Sequence, residues 1–74
     1  MKEKFLRIFS LVFGKEIHEN HDFSMKNNPE WTSLKHIEII LSIEEEFGIA
    51  FEPQDIPKLT SLKALWEKTL EMVG

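Results

Sequence analysis

A serine and a histidine three positions apart, Ser33 and His36, are the residues of this sequence that most suggest covalent chemistry. A histidine can take the proton of a serine hydroxyl and so create a nucleophile. The histidine must then be held by a third group, beside an oxyanion site in a cleft. Adjacent turns of one exposed helix provide neither feature. We therefore predict no catalytic residue and interpret His36 as a surface or partly packed histidine.

A second constellation, His18-Glu19-Asn20-His21-Asp22, contains two imidazoles and carboxylates of the kind that ligate metals. These groups are adjacent in sequence on a polar segment and have no distant partner. We interpret the segment as a solvated loop and predict no metal site.

Ser33 is positioned by a predicted helix that begins near Thr32 and ends at Gly48, with no glycine or proline between Trp31 and Phe47. Either Thr32 or Ser33 can be its N-cap, and spacing alone favours this simple capping role. The unpaired amides and the positive dipole end of the first turn would also suit a phosphate ester on Ser33.

This helix carries two apolar stripes roughly 150° apart on the helical wheel. One is a core face and contains Ile39, Ile43 and Phe47, continued by Ile40. The other starts one residue after Ser33, runs beside Glu38, Glu44 and Glu45, and consists of Leu34, Ile37 and Leu41. The helix therefore has two apolar surfaces to cover.

One further helix is predicted before the Ser33 helix and one after it. The first runs from about residue 2 to Phe13, with a phenylalanine stripe at every fourth position, and ends at Gly14. The last is capped by Thr60 or Ser61, and its apolar residues are Leu62, Leu65, Trp66, Leu70 and Val73. The phenylalanine stripe and Trp66 are interpreted as core, and the last helix is expected to pack on the first.

The connections between the helices differ in length. Residues 15–30 form a long polar loop that three apolar anchors, Ile17, Phe23 and Met25, are expected to pin. A brief helical turn is expected to start at Pro53 and to stop at Pro57. Trp31 is expected either to staple the start of the second helix or to shield a bound chain.

Length and composition limit the functional classes. Seventy-four residues make one domain, 1–74, and leave no room for a large catalytic cleft. There is no cysteine, so any thiol chemistry must come from an attached group. The net charge of −4 disfavours nucleic acid and anionic membranes as partners, and no transmembrane run or signal peptide is recognised. A cytoplasmic monomer is expected.

The pattern Thr32-Ser33-Leu34, with Ile37, Glu38, Leu41 and the closing Glu44–Ile49 run, resembles that of acyl carrier proteins. The resemblance implies that Ser33 carries 4'-phosphopantetheine, installed by a phosphopantetheinyl transferase. Thr32 departs from the aspartate of the family motif and removes a negative charge that the transferase would meet. The alternative is an interaction module of the same fold that is never modified.

The resemblance also implies an all-α fold: a small antiparallel four-helix bundle with a long first loop and a short third helix. The function implied is that of a stand-alone carrier of acyl thioesters in a fatty-acid, polyketide or specialised pathway. Acyl-loading and acyl-using enzymes with basic surfaces would dock on Leu34, Ile37, Glu38, Leu41, Glu44 and Glu45. The acyl chain would be sheltered by Ile39, Ile43, Ile49, Phe51 and Ile56.

Overall fold

The computed structural model describes residues 2–18 and 22–74. These residues form the α-helices α1 (Lys2–Phe13), α2 (Ser33–Phe47) and α3 (Leu62–Val73), together with one 3₁₀ turn, Ile56–Lys58. The predicted all-α class is confirmed. Of the four helices expected, the described residues form three α-helices, and the segment predicted as a short third helix is this single 3₁₀ turn.

The two glycines that follow α1 and α2 end these helices as predicted. Gly14 and Gly48 adopt left-handed φ angles of 67° and 63°. The Gly48 amide donates to the Glu44 carbonyl, and the Gly14 amide donates to the Ser10 carbonyl at 2.9 Å. A side chain with a Cβ is disfavoured at such angles, which is why glycine suits both positions.

Helix α2 runs antiparallel to α1. Near the start of α2, Lys35 Nζ donates to the Val12 carbonyl at the end of α1, at 3.1 Å. At the opposite end, Glu46 lines a cavity together with Lys4. In α3, the Trp66 ring lies 5.0 Å from that of Phe5, between centroids. These contacts place the core between the three helices.

The long loop is held by its apolar anchors, as predicted. Ile17 and Phe23 are buried, and Met25 is half-buried against the core. Two backbone hydrogen bonds then join this segment to the start of α3, from the Met25 amide to the Thr60 carbonyl at 2.9 Å and from the Leu62 amide to the Phe23 carbonyl at 2.8 Å. They form an isolated antiparallel bridge between Ser24 and Ser61.

The prediction for Pro57 was wrong. It does not end the turn but lies within the 3₁₀ turn, near its start. Its fixed φ angle suits the first helical positions, where its missing amide hydrogen costs no hydrogen bond. The preceding residues form a separate turn, in which the Asp55 amide donates to the Glu52 carbonyl at 2.9 Å.

The apolar residues of α3 are buried only in part. Leu62 and Leu65 are buried and Trp66 is half-buried, but Leu70 and Val73 are 43% and 42% exposed. Thr69 takes the buried position instead, because its hydroxyl donates to the Leu65 carbonyl at 2.7 Å and so remains hydrogen-bonded without water. Ser61 is the N-cap and accepts from the Ala64 amide at 3.0 Å.

Candidate functional site

Thr32, not Ser33, is the N-cap of α2. Its backbone is extended, with φ −85° and ψ 175°, and its hydroxyl oxygen accepts from the Lys35 amide at 3.3 Å. The Thr32 carbonyl accepts the first helical hydrogen bond, from the His36 amide at 2.8 Å. Of the two capping residues that the sequence allowed, threonine takes this role and leaves Ser33 as the first residue of the helix.

The Ser33 side chain is exposed. Within residues 2–18 and 22–74, no hydrogen bond is found to its hydroxyl or to the amides of Ser33 and Leu34. Two donors of the first helical turn are therefore unbonded among the described residues, beside a hydroxyl that is also unbonded. Such a helix terminus is an electrostatically favourable position for a negatively charged group.

An exposed apolar stripe extends from Ser33 along α2, as predicted. Leu34 is 68% exposed, Ile37 53% and Leu41 58%. The opposite face of the same helix is buried and contains Ile39, Ile40 and Ile43. These three large aliphatic side chains form one exposed line on α2 and make it a candidate contact surface.

The acidic side chains near this stripe have different surroundings. Glu38 lies 3.7 Å from Lys35 Nζ, and both side chains remain partly exposed. Glu45 is exposed and lines a cavity between α1 and α2. These two carboxylates are accessible to a partner.

Glu44 is held by its own chain. One of its carboxylate oxygens accepts from the Phe51 amide at 2.8 Å, and its backbone carbonyl accepts from the Gly48 and Ile49 amides. Glu44 therefore fixes the reversal of the chain after α2, a structural role that the sequence did not reveal. Glu44 was also predicted to contribute to docking, so a substitution there would affect both that surface and the reversal of the chain.

His36 was wrongly interpreted as a surface or partly packed residue. It is only 6% exposed, and both ring nitrogens are engaged. Nδ1 accepts from Trp31 Nε1 at 3.2 Å, so Nε2 carries the proton and donates to the Ile56 carbonyl at 2.8 Å. With both nitrogens used in this way, the ring is not poised to take a proton from Ser33.

A signal for the burial of His36 is present in the sequence. It precedes Ile39 by three residues and Ile43 by seven, which puts it on the core stripe of α2. A histidine on such a stripe requires buried hydrogen-bond partners. Trp31, five residues earlier, is one of them.

The Trp31 indole lies at the centre of an aromatic cluster beneath the start of α2, and it is buried. Its ring centroid lies 5.6 Å from Phe9, 5.5 Å from Phe13 and 5.6 Å from Phe23. Trp31 is therefore a core residue that fixes the start of α2 against α1 and the long loop.

The residues predicted to shelter an acyl chain belong to the packed core. Ile39, Ile43 and Phe51 are buried, and Ile49 and Ile56 pack against them half-buried. A cavity of about 380 Å³ lies elsewhere, in the groove between α1 and α2, and its lining includes Leu11 and Ser42.

Residues 18–22 were predicted to form a solvated loop without a metal site. Three of them, Glu19, Asn20 and His21, lie outside the described residues. Among the residues that are described, no group of three or more histidine, cysteine, aspartate or glutamate side chains is arranged to hold a metal ion. None of the helices formed by residues 2–18 and 22–74 has the length and apolar character needed to cross a membrane.

Comparisons with known proteins give no relative for this chain: no family model matches it, and no curated protein sequence matches it.

Proposed function

We propose that this protein is a non-catalytic acyl carrier in which Ser33 bears 4'-phosphopantetheine. The observation that carries the proposal is the exposed, unbonded Ser33 hydroxyl at the first position of α2, from which the apolar stripe Leu34, Ile37 and Leu41 extends. Both features fit the resemblance of the Thr32-Ser33-Leu34 pattern to acyl carrier proteins.

The residues around Ser33 are compatible with a phosphodiester. The free amides of Ser33 and Leu34 and the helix dipole favour its negative charge, while Thr32 keeps the helix capped without using the Ser33 hydroxyl. The attached group would supply the terminal thiol on which acyl groups are held as thioesters. The chain itself has no cysteine for this purpose.

Attachment would proceed at the Ser33 oxygen, which forms a new bond to the pantetheine-bearing phosphorus of coenzyme A. The pyrophosphate bond of coenzyme A breaks, and adenosine 3',5'-bisphosphate leaves. The proton of the serine hydroxyl passes to a base of the transferase. The exposed position of Ser33 leaves room for that enzyme.

Partner enzymes would dock on the stripe and on the accessible carboxylates Glu38 and Glu45. Residues 33–74 carry the whole net negative charge of the chain, which favours encounter with basic surfaces. In this proposal the 3₁₀ turn Ile56–Lys58 stands where the family's four-helix bundle has its short third helix. The protein would work in the cytoplasm, where coenzyme A and its transferases are found.

The test is the intact mass after incubation with coenzyme A, Mg²⁺ and a broad-specificity phosphopantetheinyl transferase. We expect a gain of one phosphopantetheine, and no gain in the Ser33→Ala variant. Thr32→Asp, which restores the charge of the family motif, is expected to be modified faster.

Thr32 favours a second candidate function, an interaction module that uses the exposed stripe without modification. This function predicts no mass gain for the natural sequence and a gain for Thr32→Asp. If both proteins remain unmodified while a known carrier in the same reaction is modified, the carrier proposal is wrong.

A further inference from the structure

We infer that the acyl group carried on Ser33 is short, such as acetyl or glycyl, and stays outside the helical core. This inference rests on the proposed carrier function and narrows its substrate class. It departs from the sequence-based expectation that Ile39, Ile43, Ile49, Phe51 and Ile56 shelter an acyl chain. Three observations support it.

The first observation is that the interior beneath the start of α2 is filled by mutually contacting rings. Phe9, Phe23 and Trp31 are buried, and Phe13 closes the cluster with its ring centroid 4.8 Å from that of Phe23. Aromatic rings in a close-packed core cannot make room for a flexible chain without disturbing several contacts at once. A chain directed inward from Ser33 would meet this cluster.

The second observation is a polar clamp between α2 and the 3₁₀ turn. His36 donates from Nε2 to the Ile56 carbonyl at 2.8 Å and accepts at Nδ1 from Trp31. A chain passing between α2 and the turn would break the bond to Ile56 and leave the buried His36 ring and the partly buried Ile56 carbonyl without these partners. The clamp therefore closes the route to Ile39 and Ile43.

The third observation concerns the groove between α1 and α2, where the cavity of about 380 Å³ lies. Ser42 lines this groove and follows Ser33 by nine residues, which at about 100° per residue puts the two on opposite sides of α2. Charged side chains, including Lys4 and Glu46, also line the groove in its continuation along α1. It is neither near Ser33 nor apolar enough for a hydrocarbon chain.

A long hydrocarbon chain on Ser33 would thus remain in water or lie over the exposed stripe, and both arrangements leave much of its apolar surface hydrated. A short or polar acyl group has no such need for shelter. The filled core and the clamp therefore match a carrier of small acyl groups.

In the experiment the acyl group is attached chemically, so that the result does not depend on a transferase. Because the chain has no other cysteine, Ser33→Cys supplies a single thiol that can be alkylated with an iodoacetamide derivative of acyl-pantetheine. Acetyl and octanoyl forms are compared by two-dimensional NMR of the backbone amides and by thermal unfolding. Failure of enzymatic modification would refute the carrier function, whereas sheltering of the octanoyl group would refute only this inference.

We expect the two forms to have the same amide shifts at Ile39, Ile43 and Phe51, and midpoints of unfolding within about 1 °C of each other. Shifts confined to Leu34, Ile37 and Leu41 would also agree with a chain held outside. Octanoyl-dependent shifts at the three core residues, with a rise of about 4 °C or more in the midpoint, would overturn the inference.

The clamp is tested by adding His36→Ala to the Ser33→Cys protein. With the clamp removed, we expect octanoyl-dependent shifts at Ile39 and Ile43. Thr69→Ala in the same background is the matched control, because it removes a buried hydrogen bond in α3 and leaves the clamp intact. Sheltering in the Thr69→Ala protein, or no difference between the two variants, would show that His36 is not the barrier.

Discussion

The Trp31 indole donates a hydrogen bond to His36 Nδ1 at 3.2 Å, and this bond joins the residue before the N-cap of α2 to the second turn of the helix. Since the other imidazole nitrogen bonds the Ile56 carbonyl at 2.8 Å, one side chain connects three segments of the chain. The position of Ser33 depends on these contacts, because they fix where α2 begins.

Replacement of His36 by alanine is expected to lower the free energy of unfolding by about 3 kcal/mol, since it leaves a buried indole N–H and a partly buried carbonyl unpaired and creates a cavity. Urea denaturation followed by tryptophan fluorescence measures the effect. His18→Ala is the control, because that histidine is exposed. Equal stability of the two variants would mean that His36 contributes nothing through its bonds.

Thr32 and Ser33 are expected to respond differently to alanine. Thr32→Ala removes the N-cap bond to the Lys35 amide and should cost about 1 kcal/mol. Ser33→Ala removes a hydroxyl that bonds to no described residue, and it should change stability by less than about 0.5 kcal/mol. Thermal unfolding of both variants, followed by circular dichroism, tests the assignment. The reverse order would make Ser33 the cap.

Glu44 and Glu45 provide a matched pair of neighbouring carboxylates. Glu44→Gln weakens a charged acceptor of the Phe51 amide and should lower stability by about 1 kcal/mol, whereas Glu45→Gln should stay within about 0.5 kcal/mol. Denaturant titration of the two variants provides the comparison. If Glu44→Gln unfolds like the wild type, the bond to Phe51 is not formed in solution.

The docking surface is tested with Glu38→Lys and Glu45→Lys, both of which reverse an accessible charge beside the exposed stripe. We expect each to slow modification by the transferase about tenfold at low ionic strength, with a smaller effect at high salt. Glu67→Lys, an exposed position on α3, is the control for overall charge. Equal rates for all three variants at low salt would remove the acidic docking surface from the proposal.

The ion pair between Lys15 and Glu30 is expected to be visible in acid titration. The hydrogen bond from Lys15 lowers the pKa of Glu30, so the pair stabilises the fold above the unfolded pKa of that carboxyl and loses its effect as pH falls through the folded pKa. In Lys15→Ala, the midpoint of Glu30 in an NMR titration should rise towards its ordinary value. Because the pair is exposed, high salt should reduce the difference.

Periodicity and capping signals predicted much of the fold. The phenylalanine stripe of α1, the left-handed glycines and the anchors of the long loop depend on local spacing, which the sequence displays directly. The exposure of Ser33 and of the apolar stripe Leu34, Ile37 and Leu41 follows from the same spacing. These features are set within one element or its immediate neighbours.

The features that the sequence analysis missed depend on distant partners. The acceptor for His36 Nε2 is twenty residues away, and the bond from the Phe51 amide to Glu44 requires the chain to have reversed after Gly48. The burial of Thr69 in place of Leu70 depends on how α3 rotates against α1. Spacing within one helix does not contain this information.

The bridge between Ser24 and Ser61 has a consequence for how the protein forms during synthesis. Ser61 follows Ser24 by half the length of the chain, so the bonds that join Phe23 and Met25 to the start of α3 cannot form until that segment has left the ribosome. Closure of such a distant contact is an entropic cost that later packing must offset. We therefore expect the segment around Phe23 and Met25 to be fixed late in folding, and a ribosome-bound chain that lacks α3 should remain sensitive to proteolysis there.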